Sequence, residues 1–384
     1  MMKVLLVNIP SSSKSFKNSI HFSLGLLKLY EFYRRRNDQV YLVDSPRLVD
    51  CDADIICFSP VFLFDIKKAI NTISAYSKRY PGALIRIGGL AVTLRPDIFK
   101  HHFPRAHIHV GELAEIDLLP PAFDMIDQDI CYGFTTRGCI NACKWCVVPR
   151  VEGKLRIMES FTNLLSHNKK IFRCMDNNIL AAGPEHVERV LREIKDRGML
   201  VDFNQGLDCI LFARNERFVE LFKEYGCLEK IVFSWDSTRQ DKDIVKTLDL
   251  LDKHDLKKEV RIFMLYGFME QPEVFFKRFK YLYDRRVRIK IMRYRDITTG
   301  EYGNYWNGFD EIMRRFIQMK FVTGIITPDN ASDVIGKVST FEEFKQLAVS
   351  AVNMINNRKE PVKISNIPLI DSVKNRRAKI SQLI

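Results

Sequence analysis

The chain has 384 residues, 46% of them hydrophobic and 28% charged, with a formal net charge of +13. This is the make-up of a soluble globular protein with room for two domains, or for one large α/β domain with an extension. No apolar stretch is long enough to cross a bilayer. The opening run Val4–Val7 also stops too early, at Asn8 and Pro10, for a signal peptide, so a cytoplasmic protein is expected.

Lys3–Val7 reads as a strand. Ser23–Arg36 reads as a helix, with Leu26, Leu29, Tyr30 and Tyr33 at helical spacing and arginines in the last turn, where they complement the helix dipole. Val40–Val43 and Asp54–Ser59 are strands, and Asp65–Arg79 is a helix closed by Pro81 and Gly82. Leu84–Ile87 is a strand ending in Gly88 and Gly89, and His107–Val110 is another. These strands are continuous apolar runs, as expected where helices cover both faces of a parallel sheet. Residues 1–111 therefore read as a doubly wound, Rossmann-like domain. Residues 112–130, with Pro120 and Pro121 and several acids, read as a linker.

A second βα series occupies residues 131–299. Its strands are Tyr132–Thr136, Lys170–Met175, Leu200–Asn204, Lys230–Trp235, Val260–Leu265 and Val287–Tyr294, with helical patterns between them, clearest at His186–Arg197 and Arg217–Tyr225. Six βα units suggest an open, partial version of the TIM-type barrel, whose active sites gather at the C-terminal ends of strands. In the sixth strand Arg288 and Lys290 alternate with apolar residues, so one face is packed and the other cationic. If the cations point into the barrel they can bind a carboxylate or phosphate; if outward, they form a solvated edge. Residues 300–384 read as a mainly helical extension. A loop through Tyr305 and Trp306 leads to helical stretches at Asp310–Met319 and Thr340–Asn357, and a basic tail at Lys374–Lys379 follows.

Of the nine cysteines, six (Cys51, Cys57, Cys131, Cys174, Cys209, Cys227) are scattered and read as small buried hydrophobes. The other three, Cys139, Cys143 and Cys146, form a C-x3-C-x2-C pattern directly after the first barrel strand. A cubane has four irons, so three thiolates leave one iron open to another ligand. Structural zinc normally takes a fourth Cys or His at short spacing, and none follows.

This segment resembles the radical S-adenosylmethionine (SAM) superfamily. The resemblance implies a [4Fe-4S] cluster on Cys139, Cys143 and Cys146, whose open iron chelates the amino and carboxylate groups of SAM. One electron then cleaves the S–C5′ bond to give a 5′-deoxyadenosyl radical, with a reducing partner such as flavodoxin or ferredoxin supplying the electron. Trp145, just before the third cysteine, stands where the family keeps an aromatic residue near the adenine. Met175-Asp176-Asn177-Asn178 stands where relatives grip the SAM amino group, although Asp and Asn also cap helices. Ser234 and Asp236 resemble the family's ribose-binding pattern, with Asp in the Glu place. Gln205 ends the third strand, and Tyr266 and Gly267 end the fifth, where backbone atoms meet adenine.

A Rossmann-like domain ahead of the barrel resembles the cobalamin-binding branch of that superfamily, with Leu24-Gly25-Leu26-Leu27, Ser59 and Gly88-Gly89 in the corresponding places. The stretch Asn8–Lys14 lacks the histidine of the base-off motif, so cobalamin stays open. His101, His102, His107 and His109 come late in the domain and read as surface or structural groups. The net charge, the sixth strand and the tail suggest a nucleic acid or nucleotide as substrate. Tyr305 and Trp306 are candidates for stacking on a base. A small metabolite or peptide substrate is the alternative reading. A non-catalytic iron–sulfur or zinc protein that binds nucleic acid is a third. Cys174 and Cys209 are candidates for donating a hydrogen atom late in the reaction.

Overall fold

The computed structural model describes residues 1–12, 22–47, 51–159, 161–166, 168–256, 260–303, 305–320, 325–326 and 338–356. The basic tail at Lys374–Lys379 lies outside them. The chain forms two compact units. The first is Met1–Gln205 with Tyr225–Glu229 and Asp296–Glu301; the second is Gly206–Glu224 with Lys230–Arg295 and the described residues from Tyr302 onward. The expected boundaries at 111 and 130 fall inside the first unit, and that at 299 inside its Asp296–Glu301 segment. Among the described residues no helix is long and apolar enough to cross a membrane.

The first unit opens with β1 (Lys3–Asn8), α1 (Leu24–Arg35), β2 (Gln39–Asp44), β3 (Ile55–Phe58), α2 (Ile66–Arg79), β4 (Leu84–Ile87), α3 (Leu90–Leu94), α4 (Pro96–His102) and β5 (His107–Ile108). The strands form a parallel sheet in the order β2-β1-β3-β4-β5. The interior strand β1 shows why the sequence reads as an unbroken apolar run. Leu5 and Val7 pack with Ala69, Ile73 and Tyr76 of α2, whereas Val4 and Leu6 pack with Leu26 and Tyr33 of α1. Both faces of β1 are covered, and all four of these residues have no exposed surface. Helix α1 begins where Ser23 accepts a hydrogen bond from the Leu26 amide (3.3 Å) and ends on Arg34 and Arg35.

Residues 112–130, read from sequence as a linker, are packed. They carry α5 (Ala114–Asp117) and a short 3-10 turn at Phe123–Met125, and they bury Ile116, Ala122, Phe123 and Ile126. Lys28 of α1 pairs with the Asp117 carboxylate at 3.2 Å, and the Ala122 amide donates to the Leu27 carbonyl at 3.2 Å.

The chain continues with β6 (Ile130–Gly133), β7 (Thr136–Arg137), α6 (Val148–Val151), β8 (Arg156–Ile157), β9 (Ile171–Cys174), α7 (Pro184–Asp196) and β10 (Leu200–Leu207). β6, β9 and β10 pair parallel in that order. The remaining elements are α8 (Cys209–Arg214), α9 (Arg217–Tyr225), β11 (Leu228–Ser234), α10 (Asp241–Lys253), β12 (Val260–Tyr266), α11 (Pro272–Asp284), β13 (Arg288–Arg293), α12 (Phe309–Lys320), β14 (Ile325–Ile326) and α13 (Phe341–Asn356). In the second unit β11, β12 and β13 are parallel neighbours, and β14 runs antiparallel on β13. The chain is thus an α/β protein in which helices follow parallel strands.

A phenylalanine layer holds the second unit's sheet to its helices. Phe233 of β11 meets Phe212 of α8 edge-on at 5.1 Å, and Phe275 and Phe279 of α11 stack at 6.3 Å. Phe233 has no exposed surface, so Phe233→Ala should cost about 3–5 kcal/mol of stability. Denaturant unfolding measures it; a loss below about 1 kcal/mol would show that the layer closes up around the gap.

Candidate functional site

The three clustered cysteines lie on a loop whose base is tied. β7 and β8 pair antiparallel, Thr136 with Ile157 and Arg137 with Arg156, and close residues 138–155 into a stem-and-loop. Gly138 opens the loop at φ +74°. A Cβ there would stand 2.1 Å from the Lys154 carbonyl oxygen, so only glycine fits. Glu152 spans the loop's mouth: its Oε2 accepts from the Gly138 amide (2.8 Å) and from Asn177 Nδ2 (2.9 Å), and it pairs with Arg137 at 3.4 Å. Glu112 joins Arg137 (3.0 Å) and Arg156 across the stem. Arg137 also lies over the Phe134 ring at 4.0 Å.

Beneath the loop sits a buried carboxylate. Asp176, at the end of β9, accepts from the Thr135 amide (2.6 Å), the Thr136 amide (2.9 Å) and the Thr135 hydroxyl. Thr135 Oγ1 is 2.9 Å from His186 Nε2, and Arg189 approaches His186 Nδ1 at 3.3 Å. An arginine only donates and the Thr135 hydroxyl is spent on Asp176, so His186 is neutral with its proton on Nε2. Burial pushes the Asp176 carboxyl up to about 6, against the pull of its hydrogen bonds. Burial, then Arg189, pushes His186 down to about 4.

The sequence reading gave Asp176 to SAM. At 4% exposure, with both oxygens engaged by Thr135 and Thr136, it instead holds the entry to the cysteine loop. Asn177 holds the loop's exit through Glu152, and Asn178 is buried. Gln205 is exposed and lies inside β10, which runs on to Leu207; its Nε2 donates to Met175 Sδ at 3.5 Å.

Cys139, Cys143 and Cys146 are partly exposed, as is Trp145, whereas Cys57, Cys131, Cys174, Cys209 and Cys227 are buried. Cys51 is also partly exposed, outside this loop. Burial raises the thiol pKa of all five buried cysteines, to about 12 for Cys57 and Cys209, so these stay protonated. The Asn141 amide donates to Cys139 Sγ at 3.3 Å. Among the described residues no group of three His, Cys, Asp or Glu side chains is gathered to hold a single metal ion. A cubane takes each thiolate on a different iron, and three accessible thiols on one tied loop fit that donor set.

The other predicted residues belong to the second unit. Ser234, at the end of β11, is partly exposed, and its carbonyl accepts from Gln240 Nε2 (3.0 Å). Asp236 accepts from the Leu265 amide (2.9 Å), and burial raises its carboxyl to about 6. Tyr266 is buried, its ring against Phe275 and Trp306 and its carbonyl accepting from the Tyr294 amide at 2.9 Å. Gly267 follows at φ +72°.

Gly25, Ser59 and Gly89 do come together. A Cβ on Gly25 would meet Ser59 Oγ at 3.5 Å, and one on Gly89 would meet it at 2.9 Å. Gly89 would also strike the Pro60 carbonyl at 2.8 Å, and Gly300 would strike Leu63 Cβ at 2.6 Å. The Cβ positions of Gly89 and Gly300 are met by the chain's own atoms, whereas Gly25 leaves room for ordinary contact with Ser59; no step is assigned to cobalamin.

No protein-family model matches the sequence, and no curated protein matches it. Among solved structures, one similar chain is a solute-binding protein of an ABC transporter from Burkholderia multivorans, with 11% identity, 78% of this chain and 88% of that chain covered, and a TM-score of 0.18. Another is PhdJ bound to a substrate intermediate, with 10% identity, coverage of 100% and 97%, and a TM-score of 0.21. A third is the arabinose-binding periplasmic protein of Shewanella sp. ANA-3, with 12% identity, coverage of 94% and 100%, and a TM-score of 0.18. At such scores these likenesses carry no argument about this chain.

The Asp176–Thr135–His186 set makes stability depend on pH in two opposed ways. Asp176 rises from 3.8 unfolded to about 6 folded, so its stabilisation is full below pH 3.8 and lost as pH climbs to 6. His186 falls from 6.5 to about 4, so stability increases with pH across that interval. Asp176→Asn should therefore gain on the wild type as pH rises from 4 to 6, by up to about 1.4 kcal/mol per unit. Urea unfolding at successive pH values reads this. Parallel stability curves for the two proteins would refute a titrating Asp176.

Proposed function

We propose that this chain is a radical SAM enzyme whose [4Fe-4S] cluster is held by Cys139, Cys143 and Cys146. The observation that carries the reading is the cysteine loop itself: three accessible thiols following β6, on a loop tied at its base, while five other thiols are buried and protonated. When bound, the cluster would supply one electron to the sulfonium of SAM. Every other contribution comes from the chain. The amide hydrogen bond to Cys139 Sγ stabilises thiolate charge, and Asp176 and Glu152 fix where the loop starts and ends. Trp145, on the cysteine loop itself, is assigned to the adenine. Asp176 is withdrawn from the SAM contacts, because its oxygens are spent on Thr135 and Thr136.

The strand order β2-β1-β3-β4-β5 is that of flavodoxin-like doubly wound sheets, and we read the later parallel strands as a partial barrel. A flavodoxin or ferredoxin is the partner class suited to delivering the electron, and the cytoplasm is the compartment in which the free thiols would stay reduced.

Anaerobic reconstitution with iron, sulfide, dithionite and SAM tests the reading. The wild type should bind about four irons per chain and release 5′-deoxyadenosine, and Cys→Ala at 139, 143 or 146 should abolish that release. Cys51→Ala should leave both intact. Iron binding unchanged in the triple alanine variant would end the proposal.

A further inference from the structure

We propose that the face of the second unit's sheet turned away from α11 is a phosphate site for a small phosphorylated substrate, anchored by Lys290 and Arg288. Strand alternation separates the two faces. Ile262, Met264, Ile289 and Ile291 are buried on the α11 side, where Tyr266 packs on Phe275. The opposite side carries Lys230 and Val232 of β11, Arg261 and Phe263 of β12, and Arg288 and Lys290 of β13.

The register places these cations side by side. Arg261 is opposite Arg288, Phe263 is opposite Lys290, and Val232 is opposite Arg261, so Lys230 comes two residues before Arg261's partner on β11. Neighbouring strands are about 4.8 Å apart. Like charges directly opposite on adjacent strands destabilise a sheet; Arg288 stands directly opposite Arg261, and an anion held by Arg288 and Lys290 would relieve that pair. Lys290 lies over the Phe263 ring at 5.0 Å; burial, then Lys230 and Arg261, press its ammonium below the ordinary lysine range. Among the described residues no carboxylate forms an ion pair or hydrogen bond with Lys290 or Arg288.

The cations occupy the N-terminal halves of their strands, whereas Ser234, Tyr266 and Gly267 stand at the C-terminal ends. Three residues separate Lys290 from the end of β13, or about 10 Å along the strand. That spacing suits a sugar phosphate or mononucleotide with its phosphate inward and its body toward the strand ends. All four cations are half-buried, unlike the exposed basic surface that follows a nucleic-acid backbone.

The test needs no cluster, so its failure and that of the radical SAM reading are told apart. Inorganic phosphate is titrated into the full chain by calorimetry at constant ionic strength, with citrate and a short oligothymidylate as competitors. Saturable phosphate binding should weaken about tenfold or more in Lys290→Met and in Arg288→Gln. It should hold in Lys290→Arg and in Lys253→Gln, which removes an exposed lysine of α10. Lys290→Met also relieves repulsion, so without phosphate it should melt no lower than the wild type, which separates loss of the site from loss of the fold. Equal phosphate affinity across the variants would overturn the proposal. So would preferential binding of citrate, or displacement of phosphate by the oligothymidylate.

Discussion

The cysteine loop depends on one buried carboxylate. β6 and β9 are parallel neighbours with Gly133 opposite Cys174, so the residues two places on, Thr135 and Asp176, leave the sheet together. Asp176 turns that register into a clamp on two amides and a hydroxyl. Each amide would be a buried orphan donor without it, at about 1–3 kcal/mol. The next residue, Asn177, reaches Glu152 at the far side of the same loop. Two consecutive side chains at one strand end thus address both ends of an insertion that carries the three thiols.

The nine thiols divide by environment as sharply as by spacing. Cys174 lies two residues before Asp176, and desolvation with the nearby carboxylates keeps it protonated. Cys209 points at the Ser234 carbonyl and is buried, which suits a packed hydrophobe. A late hydrogen-atom donor would need access to a substrate radical, and neither thiol has it. The loop cysteines differ in exposure: between Gly138 and Gly153, both at positive φ, each of the three stays partly exposed.

The parallel strands were legible because burial on both faces writes itself as an unbroken apolar run, as in Val4–Val7. The start of α1 was legible from Ser23, and the cysteine cluster from spacing alone. The β7–β8 stem was not, because two-residue strands paired across twenty positions have no local signature. The packing of residues 112–130 was hidden too: Pro120 and Pro121 report a broken helix but not what Phe123 and Ile126 rest upon. Asp176 looked like a ligand-facing acid because polarity at a strand end is the same in sequence whether it meets a cofactor or the chain's own amides.

Tyr305 and Trp306 show how far adjacent residues can part. Trp306 is 6% exposed, donates its indole proton to the Glu270 carbonyl at 2.6 Å and packs on Tyr266 and Phe309. It is a core residue and offers no stacking surface to a base. Tyr305 is 46% exposed, but Phe268 and Tyr294 crowd its ring edge-on. A single-strand platform uses successive open aromatic faces, and this pair supplies at most one. The positive charge that first suggested a polynucleotide is also bound up locally in part: Arg293, Arg314 and Arg315 converge on Glu311. A high net charge is therefore weak grounds for a polymer substrate, whereas cations aligned along neighbouring strands constrain both the charge and the size of what can meet them.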